Sequence, residues 1–107
     1  RDAGGPATDM LIRSPELGAA LAQKIGSSAV VLMRGHGNVV VGQSVRQVVF
    51  RAIYTEINAR LQSEAMRLGG GEVTFLSVDE AANASRTNNA VLSRPWELWK
   101  RQALGPG

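Results

Sequence analysis

The chain holds one histidine, in the run Arg34-Gly35-His36-Gly37. Glycine on both sides lets the backbone reach positive φ and, having no Cβ, lets a ligand approach closely. Neutral imidazole is the commonest nitrogen donor to Zn²⁺. His36 is therefore a candidate metal ligand, and the plainer alternative is a polar turn residue whose ring bonds to backbone. Arg34, two residues earlier, is a candidate contact for an anionic substrate group, because guanidinium matches carboxylate geometry.

A second constellation is Glu56 and Arg60, spaced i, i+4 in the favourable acid-before-base order. The spacing predicts that the pair lies on the apolar arc of a long helix, where charge must be closely paired. Two roles are open to it: a structural ion pair at a helix or subunit interface, or a substrate carboxylate contact through Arg60. Tyr54, on the same helix, reads as packing before acid catalyst. Trp96 and Trp99 share a helix face, which fits a core or an interface as well as a site lining. Gly69-Gly70-Gly71 follows a helix and lacks a G-K-[ST] run, so it is no phosphate loop.

These residues need elements to hold them. Arg1 to Thr8 is Gly- and Pro-rich and reads as a loop or linker. Ser14 as cap, Pro15 at the first position and Gly26 as stop predict a helix over Pro15 to Ile25. Ala29 to Met33 and Asn38 to Val41 are apolar, β-branched runs joined by a glycine-containing link, which predicts an antiparallel hairpin. Ser44-x-x-Gln47 predicts a capping box and a helix from Val45 to Leu68, about 36 Å long at 1.5 Å per residue. Its apolar positions Val45, Val48, Val49, Ala52, Ile53, Ile57 and Leu61 form an arc too wide for one small domain to cover, so a homo-oligomer is expected. Val73 to Leu76 reads as a short extended piece, and Ser77-x-x-Glu80 opens a short helix to about Ser85. Arg86 to Asn89 reads as a polar loop, and Ser93 to Leu104 as a last amphipathic helix.

Composition narrows the chemistry. The chain has 107 residues, 12 Lys+Arg against 9 Asp+Glu and no Cys. That length accommodates one domain. Without cysteine there is no disulfide, thiolate metal site or thiol nucleophile. With a single histidine, a metal site built from several histidines needs residues outside this chain. The net charge of +3 is an ordinary solubility margin, and the basic residues are scattered, so no nucleic-acid partner is expected. No apolar run is long enough to span a bilayer and no signal-peptide layout is present, so no membrane is expected. A cytoplasmic setting fits the missing cysteines. The first residue is Arg and not Met, so a processed, truncated or incompletely numbered chain is expected.

The stretch from Ala29 to Ser44 (AVVLMRGHGNVVVGQS), followed by a long helix carrying Glu56, resembles the class II aldolase/adducin family. The resemblance extends upstream to Ser14-Pro15-Glu16-Leu17-Gly18 and downstream to Leu76-Ser77-Val78-Asp79-Glu80. The runs Ile53-Tyr54-Thr55-Glu56-Ile57-Asn58-Ala59-Arg60 and Trp96-Glu97-Leu98-Trp99-Lys100-Arg101-Gln102-Ala103 look closer to members that decarboxylate hydroxy-aromatic acids than to sugar-phosphate aldolases. The resemblance implies an α/β fold, three-layer α/β/α in the intact family. Residues 1–107 would be the C-terminal part of that single domain: helix, hairpin, long helix and C-terminal helices.

It also implies that His36 is one of three histidines holding a divalent metal, Zn²⁺ before Mn²⁺. The other two, in an H-x-H motif with the catalytic carboxylate, would lie in a missing N-terminal segment. The implied activity is Lewis-acid cleavage of a C–C bond through a stabilised enolate, by decarboxylation or aldol cleavage of a small carboxylate or hydroxy-carbonyl substrate. The implied assembly is a tetramer or a multiple of it. Two alternatives stand beside the lyase: a non-catalytic adducin-like interaction module, and a small basic nucleic-acid binder.

Overall fold

The computed structural model describes residues 3–106. The chain divides into two compact units, Arg1–Val41 and Gly42–Gly107.

The first unit contains helix α1 (Pro15–Ile25) and strands β1 (Val30–Met33) and β2 (Gly37–Val40). Ser14 Oγ accepts from Leu17 N at 3.3 Å, which satisfies one of the orphan amides of the first turn. Gly26, at φ 51°, ends α1, and its N–H donates to Ala22 O at 3.1 Å. The strands pair antiparallel with Val30 opposite Val40, Val31 opposite Val39, Leu32 opposite Asn38 and Met33 opposite Gly37. Each strand is offset by about a residue from its expected span, as hydrogen bonding rather than hydropathy sets the ends. Val31 and Met33, on one face of β1, are both half-buried, whereas on the other face Val30 is half-buried and Leu32 is 75% exposed.

The second unit contains α2 (Val45–Leu68), α3 (Val78–Ala90) and α4 (Ser93–Leu104). Helix α2 starts at Ser44, whose Oγ accepts from Gln47 N at 3.2 Å. The expected capping box is only half formed, because the Gln47 side chain reaches one residue further back and accepts from Gln43 N at 2.7 Å. Helix α2 packs on α4 through three rings. Phe50 and Tyr54 have centroids 4.5 Å apart, and Trp99 lies 6.2 Å from Phe50 and 6.4 Å from Tyr54.

One expectation changes here. Arg86 to Asn89 is helical, and α3 runs on to Ala90 instead of stopping near Ser85. Its polar composition reads as loop, yet Asn89 Oδ1 accepts from Gln47 Nε2 at 3.1 Å and holds that end. Val73 to Leu76 is non-helical and pairs with no strand among the described residues, which does not conflict with the expected short extended piece.

Among the described residues no apolar side chain is buried, and Gln47, 9% exposed, is the one buried polar residue. The chain exposes 8484 Å², where a self-sufficient folded chain of this mass exposes about 5,800 Å². The expected breadth of the α2 apolar arc is matched by Val45 and Leu61 standing open to solvent. No helix among the described residues is long and apolar enough to cross a membrane.

Candidate functional site

The hairpin turn presents His36. The His36 N–H donates to Met33 O at 3.0 Å, closing a β-turn whose third residue is Gly35 at φ 73°. Gly37 follows at φ 145°, also outside the range that suits residues with a Cβ. Both glycines are therefore required by the backbone, and the expected tight turn is what the residues form. The imidazole is exposed at its tip, and Arg34 is exposed in the same turn.

One residue the sequence reading did not single out belongs to this region. Met10 is the sole non-glycine residue with positive φ (65°) among the described residues. Its thioether lies against Gly35: a Cβ built there would sit 2.9 Å from Met10 Sδ. The signal that could have exposed it is Thr8-Asp9, two residues that bond their own backbone in turns. Thr8 Oγ1 accepts from Met10 N and Asp9 Oδ1 from Leu11 N, both at 3.1 Å.

In the second unit, Glu56 Oε1 and Arg60 Nη2 pair at 2.8 Å, as the spacing predicts. Their side chains are 76% and 74% exposed, so the pair stands in solvent and not on a buried apolar arc. Tyr54 is 39% exposed and belongs to the ring cluster with Phe50 and Trp99. Trp96 carries Lys100 Nζ 5.8 Å from its ring centroid, and Lys100 also pairs with Glu97 at 2.9 Å. Gln47 is the second residue whose role the sequence understated, since a capping-box reading gives no sign of the bond to Asn89.

Two carboxylates sit below their ordinary range, both at helix starts. Glu16 is lowered chiefly by a backbone N–H bond and then by the Ser14 hydroxyl. Glu80 is lowered by the Ser77 backbone N–H and then the Ser77 hydroxyl, and the capping box is complete because Ser77 Oγ also accepts from Glu80 N. These are structural carboxylates at helix caps.

The donor chemistry of the turn fits one metal ligand. No group of three or more His, Cys, Asp or Glu able to hold a metal occurs among the described residues. His36 can thus offer one imidazole, and a metal site here would need its other donors from outside those residues.

Residues 5–63, more than half of the chain and including the whole hairpin, match the family described as Class II Aldolase and Adducin N-terminal domain. The chain belongs to the class II aldolase and adducin family. Within it, the chain is similar to the decarboxylase tropJ of Talaromyces stipitatus, 37% identical over 111 residues that cover 88% of this chain and 42% of that protein. It is also similar to the 3,4-dihydroxyphthalate decarboxylase of a Terrabacter species, 34% identical over 73 residues, 68% of this chain and 30% of that protein. The corresponding enzyme of Rhodococcus jostii is 36% identical over 72 residues, 67% of this chain and 28% of that protein. The chain therefore spans about two fifths of the length of the first of these family members and less than a third of the other two.

Proposed function

We propose that this chain is part of a divalent-metal-dependent carbon–carbon lyase, with decarboxylation of a hydroxy-aromatic acid as its reaction. The observation that carries the reading is the exposed imidazole of His36 on a two-glycine hairpin turn, in a chain whose relatives are named decarboxylases. The second reading, retro-aldol cleavage, draws on the family name alone.

His36 supplies one neutral nitrogen donor. Zn²⁺, or Mn²⁺ as the alternative, would provide a Lewis acid beside the breaking bond when bound there. Gly35 and Gly37 keep side chains away from the imidazole's approach. Arg34 offers a guanidinium to the substrate carboxylate, for which bidentate pairing is well suited. Arg60 is a separate candidate for a substrate carboxylate, and would exchange its exposed partner Glu56, an interaction worth at most about 1 kcal/mol. The open apolar surface fits a homo-oligomer, a tetramer or a multiple of it, and the remainder of a three-layer α/β/α domain.

The test is elemental analysis of the full natural protein together with carbon dioxide release from dihydroxyphthalate. His36→Ala is expected to lose both stoichiometric metal and release. Metal content unchanged by His36→Ala overturns the reading. A wild-type protein without metal or release leaves the adducin-like interaction module in its place.

A further inference from the structure

We infer that Met10 is a positioning residue for His36, its thioether seated on Gly35 so that the turn aims the imidazole in one direction. The inference rests on the reading of His36 as a metal ligand.

Three observations carry it. First, Met10 holds φ 65°, a region disfavoured for residues with a Cβ, and such strain persists only where surrounding structure enforces it. The enforcing contacts are local. Thr8 and Asp9 bond the amides of Met10 and Leu11, and Asp9 pairs with Arg13 at 3.2 Å. Second, the strained residue delivers its side chain to the turn, where a Gly35 Cβ would meet Sδ at 2.9 Å and Cε at 3.5 Å. Gly35 is required by its own φ of 73°, and a Cβ there would also displace the thioether against it. Third, Met10 is 48% exposed. Its thioether thus covers the residue next to His36 at the surface, with about half of the residue in solvent.

A tight turn on a two-stranded hairpin has few contacts of its own, and isolated hairpins are marginally stable. The thioether adds a contact from a distant part of the chain. Outer contacts that fix a ligand's orientation govern metal affinity without touching the metal.

The test uses the full natural protein and Zn²⁺ affinity by chelator competition, read for wild type, Met10→Ala, Met10→Leu, Gly35→Ala, His36→Ala and the Met10→Ala/Gly35→Ala double variant. Met10→Ala is expected to weaken Zn²⁺ binding about tenfold, with Met10→Leu restoring it to within about twofold of wild type. Gly35→Ala is expected to weaken binding by more than tenfold, and the double variant to bind several-fold more tightly than Gly35→Ala, because removing the thioether relieves the overlap. Wild-type affinity in Met10→Ala, or a double variant whose loss is the product of the two single losses, overturns the proposal. If His36→Ala loses Zn²⁺ and Met10→Ala does not, the Met10 role alone fails. If His36→Ala binds Zn²⁺ as wild type does, the ligand reading fails and the Met10 role with it.

Discussion

Gln47 on the first turn of α2 and Asn89 on the last turn of α3 are 42 residues apart in sequence, and their side-chain amides meet at 3.1 Å. Gln47 joins three segments, since it also accepts from Gln43 N and its own amide is capped by Ser44. Removing that side chain leaves both the Gln43 amide and the Asn89 carbonyl without their partner. Gln47→Ala is expected to cost about 1–3 kcal/mol, measured by urea unfolding of the full protein. Asn89→Ala removes one bond of the set and should cost less. Equal costs would mean that the Gln43 bond contributes nothing.

The ring cluster of Phe50, Tyr54 and Trp99 joins α2 to α4. Trp99 is half-buried, so Trp99→Ala is expected to destabilise by about 2 kcal/mol, less than a fully buried ring. Tyr54→Phe keeps the ring and should leave the rate of the proposed decarboxylation within about twofold of wild type. A rate collapse in Tyr54→Phe with an unchanged unfolding midpoint would assign the hydroxyl to catalysis.

The Glu56–Arg60 pair is open to solvent on both sides. A double-mutant cycle of Glu56→Ala and Arg60→Ala in urea is expected to give a coupling of about 0.3–0.5 kcal/mol, falling as salt is added. A coupling above about 2 kcal/mol would mean that the pair becomes buried in the assembled protein.

Glu80 closes the α3 capping box, and its folded carboxyl lies below the ordinary carboxylate range. A carboxyl whose pKa is lowered by folding adds stability above its unfolded value and loses it as pH falls through the folded one. Stability of the wild type should therefore decline more on acidification than that of Glu80→Gln, whose amide keeps an acceptor for the Ser77 amide without titrating. Unfolding midpoints of the two proteins across the acidic limb check this. Parallel curves would show that the charge contributes nothing at this cap.

Much of the site was legible because its determinants are close in sequence. The glycines around His36 specify a turn, and the turn exposes what stands between them. The acid–base spacing of Glu56 and Arg60 likewise specifies the ion pair, since four residues bring two side chains onto one helix surface. Its environment was not legible: the apolar neighbours placed it on a buried arc, and the folded chain leaves those neighbours partly uncovered. Met10 belongs to none of the capping, turn or charge-pair patterns in the sequence. Nothing local marks its contact with Gly35, which depends on a strained residue and a turn far along the chain.

Local sequence alone determined the caps at Ser14, Ser44 and Ser77, the stop at Gly26, the hairpin and the position of the lone histidine. The caps, the stop and the turn before His36 rest on bonds or steric preferences spanning four residues or fewer, and the apolar runs on either side extend that turn into the hairpin. Tertiary structure decided that α3 continues through Arg86 to Asn89, that Gln47 is the buried polar link and that Met10 covers the His36 turn. The physical reason is range. A polar stretch such as Arg86 to Asn89 has no strong preference of its own, and the partner of its Asn89 side chain lies on α2, 42 residues away in sequence.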